Sequence, residues 1–513
     1  MHRKRAFSIR WNIVFFILSL MLPFTPLAAA EGSPDLVVTS ISVSPSIIAP
    51  GDPLTIKGSV KNQGSGDAGY FRTVMFLSTD PVISTSDVRI GSPKGNETDS
   101  LKAGETEPFI YRTNLISTAT GIYYVGAVAD YRKQVTESNE KNNTLAGNQI
   151  LITASEPVAS GAGHSLALKP DGTLWAWGSN SHGQLGDGTT TDKTSPVRIG
   201  KDTKWVAISA GLNHSLALKS DGTLWAWGNN SNGQLGNGTK VNKTAPVRIG
   251  KDTKWIAVEA GDHHSVALKS DGTLWAWGNN SHGQLGDGST VDRTTPVRVG
   301  KDDNWARVSA GAYHTVALKK DMTLWTWGDN SHGQLGDGST VDKIAPVRIG
   351  ADARWFAVSA GDYHTVALNW CADCWTTFSL WAWGYNAHGQ LGDGTTTDKA
   401  SPVRIGTDTT WTKVSTGSNH AVALKKDGSL WAWGVDDKGQ LEDGTKENKN
   451  SPVRMGTDAN WFSISAGAMH SLAMKSDNTL WSWGWNEHGQ LGDGARAEKA
   501  TPGQLSGFGN GGK

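Results

Sequence analysis

Between Trp205 and Gly250, apolar and polar positions alternate through the short runs WVAISA, HSLALK, TLWAWG and PVRIG. A period of two over so short a span predicts strands with one buried face, not helices. The second and third runs are joined through Asp221-Gly222, where glycine supplies the positive φ that a tight hairpin needs. A long polar loop rich in Gly, Asn and Thr leads to the fourth run. The unit predicted is an antiparallel four-stranded sheet.

This unit is written seven times. Its marker, Gly-x-x-His, begins at Gly161, Gly211, Gly261, Gly311, Gly361, Gly417 and Gly467, a period of 50 residues with one step of 56. Such a period means one supersecondary unit copied along the chain. Four-stranded copies either stack into an open solenoid or close into a ring. Closure removes exposed sheet edges, and the terminal copies keep the apolar positions of the middle ones where a solenoid would need polar caps. The expectation is a seven-bladed β-propeller over residues 156–513. Paired tryptophans such as Trp225 and Trp227 are expected in its core, with Gly178, Gly183, Gly186 and Gly188 at turns. Asn180 and Gln184 are expected to bond to loop backbone, and the unit histidines His164, His214, His264, His314, His364, His420 and His470 to fix strand ends. The repeated stretch LWAWGSNSHGQLGDG therefore builds the scaffold. Its seam is expected to be irregular, because Pro502-Gly503-Gln504 replaces the PVR of the other copies and Ser155 stands where they carry tryptophan.

Ahead of the repeats, residues 31–153 alternate in runs such as LVVTSISV, LTIKGSV and TVMFLST between turn-formers, which predicts an antiparallel sandwich of about seven strands. Asp130, Glu137, Glu140, Asn142 and Asn143 have the oxygen chemistry of a calcium loop, but a solvated turn bonded to its own backbone is the simpler expectation. Residues 1–30 combine HRKR and Arg10, an apolar run from Trp11 to Phe24, and Ala28-Ala29-Ala30, the layout of a secretory signal. No other long apolar run exists, so no membrane span is expected after cleavage, and the expected location is extracytoplasmic.

The formal net charge is +0, and removal of Arg3, Lys4, Arg5 and Arg10 with the signal leaves a slight acidic excess. That balance gives no drive toward nucleic acid. The two cysteines, Cys371 and Cys374, fall in NWCADCW within the longer step of the repeat. Outside the cytoplasm they are expected to form a local disulfide.

Two resemblances rest on these residues. PDLVVTSISVSP, VKNQGSGDAG, FLSTDPVISTSD and VTESNEKNN look like the bacterial cell-adhesion-related domain, an immunoglobulin-like module, which implies an extracellular spacer or adhesion role. The repeated Gly-x-x-His-Ser-Leu-Ala-Leu-Lys, Asp-Gly-Thr-Leu-Trp-Ala-Trp-Gly and Asn-x-x-Gly-Gln-Leu-Gly-x-Gly resemble the regulator of chromosome condensation repeat, which also implies seven blades. Nucleotide exchange on a GTPase, an activity known in that family, needs a wedge-like inserted hairpin, and here the insertion is six residues long. Secreted bacterial members that bind and block β-lactamases imply instead that one loop face can meet a protein.

Positions that recur build; positions that differ between copies are free to recognise. The pair after each unit glycine varies most: Ala162-Gly163, Leu212-Asn213, Asp262-His263, Ala312-Tyr313, Asp362-Tyr363, Ser418-Asn419 and Ala468-Met469. Ring closure gathers these pairs around one channel mouth, so Asn213, Asp262, His263, Tyr313, Asp362, Tyr363, Asn419 and Met469 are the candidate partner-binding residues. A second variable position holds His182, His282, His332, His388 and His488, on blades too far apart for these histidines to share one ion, so no metal site and no cofactor is expected. No nucleophile and base recur together, so the chain is expected to be a non-catalytic, monomeric scaffold for a protein or polysaccharide outside the cytoplasm. The alternatives are an inhibitor of a secreted enzyme and, less favoured, a propeller lyase or hydrolase using Asp262, His263, Asp362 and Tyr363.

Overall fold

The computed structural model describes residues 32–44, 47–48, 53–91, 95–114, 121–152, 156–351, 354–370 and 378–509. The proposed signal and the Cys371/Cys374 disulfide lie outside the described residues. No helix among the described residues is long and apolar enough to cross a membrane.

The chain is all-β. Its N-terminal part is an immunoglobulin-like sandwich, in which Leu36–Ser44, Pro53–Asn62 and Thr106–Asn114 form one sheet and a second is built around Phe71–Ser78, Gly121–Val128 and Thr144–Ile152. Leu36, Ile56, Phe71, Val125 and Ile150 fill the space between the sheets, each 0 % exposed. The acidic turn of this domain is bonded to backbone as expected but only partly solvated: Glu140 is exposed, whereas Asp130, Glu137 and Asn143 are buried. Asp130 accepts from the amides of Gln134 (2.8 Å) and Val135 (2.9 Å), and Glu137 from the Leu36 amide and Asn143 Nδ2. Burial pushes both carboxyls above their ordinary range, and these bonds partly offset its cost.

From Val158 onward the chain forms a seven-bladed propeller, each blade taking four consecutive strands. Blade 2, for example, pairs Trp205–Ala210, His214–Lys219, Leu224–Gly228 and Lys243–Arg248 in order. Blades 1 and 3 to 7 repeat this arrangement around their own histidine strands, which begin at His164, His264, His314, His364, His420 and His470. The longer step of the repeat extends the blade 5 hairpin to Trp370 and Phe378, and Phe378 also bridges to Trp411 of blade 6.

Six of the seven blade junctions are made by the same three groups. Trp227 Nε1 and Ser215 Oγ both donate to the Gln184 carbonyl of the preceding blade, at 2.9 and 2.8 Å, and His164 Nε2 lies 3.0 Å from Ser215 Oγ. The serine proton is spent on the carbonyl, so the histidine must carry its proton on Nε2. Its Nδ1 is buried without a partner. Burial holds the seven histidines far below the ordinary imidazole pKa, at about 3 for His164, His214, His264, His364 and His470 and about 4 for His314 and His420. The unit glycines sit beside these rings. A Cβ on Gly211 would meet the Gly261 carbonyl at 2.2 Å and its own blade's His214 ring at 2.6 Å, which excludes any larger residue.

Two expectations need correction. Only the second tryptophan of each pair is core: Trp227 is 0 % exposed, whereas Trp225 is half-buried at the outer side of the blade. There its Nε1 donates to Thr223, Trp205 meets it edge-on, and Lys219 Nζ lies 3.8 Å from its ring centre while pairing with Asp202. The seam, in turn, has a short inner strand, Val158–Ser160, yet keeps the bonds of the other junctions. Trp177 Nε1 and Ser165 Oγ both donate to the Gln490 carbonyl, and His470 reaches Ser165 at 2.9 Å. Phe508, near the C-terminus, packs on Trp175 and Trp177 with centroids at 6.5 and 6.1 Å. It stands to these rings as Trp205 stands to Trp225 and Trp227, and so closes the outer layer of blade 1.

Candidate functional site

The variable pairs follow the inner strand of each blade and precede its histidine, so the seven-fold arrangement sets them around one mouth of the central channel. Their side chains do not behave alike. Asn213 Oδ1 accepts from Gln184 Nε2 at 3.3 Å and Asn419 Oδ1 from Gln390 Nε2 at 3.1 Å, so both amides are turned back into the loops. Met469 is half-buried on blade 7, on the far side of the ring from Tyr313.

Blades 3 to 5 bring the remaining candidates together. The rings of His263 and Tyr313 lie 5.9 Å apart, and those of Tyr313 and Tyr363 6.5 Å apart. The second variable position extends this row outward: His282 meets Tyr313 at 5.3 Å and His332 meets Tyr363 at 5.6 Å. His332 also meets Tyr385 at 4.6 Å, and Tyr385 meets His388 at 6.1 Å. The result is a continuous run of seven rings across three blades, half-buried along its inner edge.

Carboxylates lie among the rings. Asp262 and Asp362 follow the unit glycines of blades 3 and 5, with the small Ala312 of blade 4 between them in the ring order. Burial, and secondarily the charge of Asp362, pushes the Asp262 carboxyl up to about 8. Burial also raises Asp362, against a hydrogen bond from Ser418. The hydroxyls of Tyr313 and Tyr363 are raised first by burial and then by the surrounding charges, among them Asp262, Asp362 and Asp329.

Outer histidines are anchored wherever the next blade offers an aspartate. His282 Nδ1 lies 2.9 Å from Asp342, His332 Nδ1 2.9 Å from Asp398, and His488 Nδ1 3.1 Å from Asp192. Each of these aspartates also caps a loop amide, as Asp342 does for Asn330 at 2.9 Å. Beside the first pair, the buried Asp329 places a carboxylate so that ligand atoms of His282, Asp329 and Asp342 all lie within 4.8 Å of one another. Among the described residues this is the one group with the spacing and donor chemistry to hold a metal ion, and it uses one histidine and two carboxylates instead of the several histidines considered from sequence.

Asp329, Tyr385 and Trp485 were not among the sequence candidates, although a signal for them existed. They occupy the place after the WAWG glycine, which varies as Ser179, Asn229, Asn279, Asp329, Tyr385, Val435 and Trp485. The rule applied to the pairs applies equally there.

Comparison with known proteins follows this layout. Residues 121–377 match the RCC1-like domain family and residues 33–147 the CARDB family. The Regulator of chromosome condensation (RCC1) repeat matches residues 379–424, 427–474 and 477–512. Yeast RCC1 (Prp20), crystallised with Kap60 bound, is 21% identical over 68% of this chain and 85% of its own, with a TM-score of 0.58. Human WBSCR16 is 20% identical over 80% of this chain and 98% of its own, with a TM-score of 0.56. At such identity both are similar in fold alone. A 42-residue stretch is 50% identical to the E3 ubiquitin-protein ligase HERC2 of Homo sapiens, and the chain spans about 1% of that relative's length.

Proposed function

The chain belongs to the RCC1-like domain family, and from that premise we propose that it is a non-catalytic binding scaffold outside the cytoplasm, with blades 3 to 5 presenting their channel-mouth face to a protein partner. The observation that carries this reading is the unbroken run from His263 through Tyr313, Tyr363 and His332 to Tyr385. Aromatic side chains with polar tips are rigid, carry large contact area and concentrate binding energy at interfaces. The rest of the propeller holds them in place, because every blade donates its core tryptophan to a glutamine carbonyl of the preceding blade, and six of the seven add a Ser or Thr hydroxyl that also meets the preceding histidine. Binding as a class is supported by the yeast relative crystallised with Kap60 bound, a fold-level analogy only. The location is supported by the signal-like layout of residues 1–30 and by the CARDB match. In this reading the sandwich domain spaces or anchors the propeller.

The test uses residues 31–513 as crosslinking bait against the producing cell's envelope and culture fluid. A second bait carries Asp262, Tyr313, Asp362 and Tyr363 changed to alanine. A protein captured by the first bait and lost from the second supports the reading. Equal capture by both moves the site off this face, and glycan binding in place of protein capture turns the reading toward a polysaccharide.

A further inference from the structure

The channel wall holds one departure from its own pattern. Two residues before each unit glycine stand Ala159, Ser209, Glu259, Ser309, Ser359, Ser415 and Ser465, so blade 3 alone places a carboxylate there. These positions meet from blade to blade through hydroxyls, as where Ser209 Oγ accepts from the Ala260 amide at 2.9 Å and Ser359 reaches Thr416 at 2.8 Å. The Glu259 carboxyl has the Ser209 hydroxyl as its partner, at 3.4 Å. Burial pushes it up to about 8.

Three residues further along blade 3, Asp262 lies near enough to Asp362 of blade 5 for their charges to interact. The channel end beside Tyr313 and Tyr363 thus holds Asp262 and Asp362 together, with the Ser418 hydroxyl bonded to Asp362, while Glu259 bonds Ser209 on the wall. No lysine or arginine occupies any of the three variable positions on blades 3 to 5. Among those positions on all seven blades the one cation is Lys438, held 2.8 Å from Glu498 on blade 7. Carboxylates gathered in a half-buried site without a cation are costly, and each loses part of that cost when a cation arrives.

We propose that this mouth receives a basic side chain, arginine or lysine, from the protein partner, with Asp262 and Asp362 accepting its hydrogen bonds and Tyr313 and Tyr363 flanking its stem. The proposal rests on the partner-binding reading above. Charge complementarity chooses the occupant: carboxylates bind a guanidinium or ammonium through charge-assisted bonds, and tyrosine faces add cation–π attraction. Ring order places only the buried methyl of Ala312 between the two aspartates, so blade 4 sets no polar or charged side chain there to compete for them. Glu259, on the neighbouring wall, is held in its neutral form by burial, so the charge that meets the cation comes from the aspartates.

The test measures binding of a fluorescein-labelled Ser-Gly-Arg-Gly-Ser-Gly peptide to the full chain, alongside the same peptide carrying citrulline, which keeps the shape and removes the charge. The arginine peptide is expected to bind at least ten-fold more tightly. The double variant Asp262→Asn, Asp362→Asn is expected to erase that preference while melting at the same or a higher temperature. Asp202→Asn, on the outer rim, is expected to keep it. Equal binding of the two peptides, no binding of either, or a preference that survives the double variant would overturn the proposal. Partner capture lost on alanine substitution of the face, without any arginine preference, would sink this inference and leave the binding face standing.

Discussion

Ala421 stands on blade 6 at the position that gives every other blade a Ser or Thr hydroxyl, and His364 on blade 5 is the unit histidine whose Nε2 is left buried without a partner. The six other steps each pair a histidine with a hydroxyl at 2.9 to 3.1 Å. Ala421→Ser supplies the missing group, which can donate to the Gln390 carbonyl and accept from His364. We expect a gain of about 1 kcal/mol, the net worth of one buried hydrogen bond, read as a higher denaturant midpoint. A loss of stability would show that the site is too tight for one more oxygen.

Phe508 completes blade 1 from the far end of the chain, with Lys169 Nζ 4.8 Å from its ring centre and 3.9 Å from that of Trp175. Phe508→Ala should cost about 3 kcal/mol by leaving a cavity against two tryptophans, and Phe508→Trp should cost far less. Urea unfolding of the two variants checks this. Equal, small effects would mean that the seam holds without the ring.

The seven unit histidines make the propeller acid-sensitive. Their folded pKa values, about 3 to 4, lie below the ordinary 6.5, so between these limits the unfolded chain binds more protons. Stability therefore rises with pH across this window and is lost as pH falls below about 6.5, each fully titrating histidine contributing up to ~1.4 kcal/mol per pH unit. Denaturant midpoints measured from pH 7 to pH 4 should fall steeply. A flat profile would contradict the buried, neutral assignment.

Glu442 breaks the loop rule of the other blades. At its position they carry glycine with positive φ, and a Cβ there would meet the next blade's tryptophan at 2.7 to 2.9 Å. Glu442 keeps the same backbone, at φ 65, and burial together with the Asp458 charge pushes its carboxyl up to about 8. A carboxyl raised in the folded state subtracts stability as pH rises from the ordinary 4.5 to about 8. Glu442→Gly should thus stabilise by about 1–2 kcal/mol from the backbone alone, with a further gain that grows toward pH 8. Thermal melts at pH 5 and pH 8 compare the two contributions.

The seven blades were legible because closure copies one pattern, and a 50-residue period needs no tertiary information to be seen. The fate of each tryptophan pair was not. A period of two puts Trp225 and Trp227 on one face, but distance from the channel decides which of them the next blade covers, and alternation carries no record of that distance. Phe508 was hidden for a related reason: its role depends on the chain end returning to blade 1. At the channel mouth, variation between copies pointed to His263, Tyr313 and Tyr363. It pointed equally to Asn213 and Asn419, and nothing local tells that their amides bond to a neighbouring glutamine.

The central claim, that the blade 3 to 5 mouth meets the partner, is tested most directly by placing a benzophenone amino acid at Tyr313 and, separately, at Lys320, which is exposed on the strand-joining turn at the opposite end of blade 4. After irradiation with the captured protein, crosslinks are expected from position 313 and not from position 320. Crosslinks from 320 with none from 313 would place the partner on the other face and contradict the account.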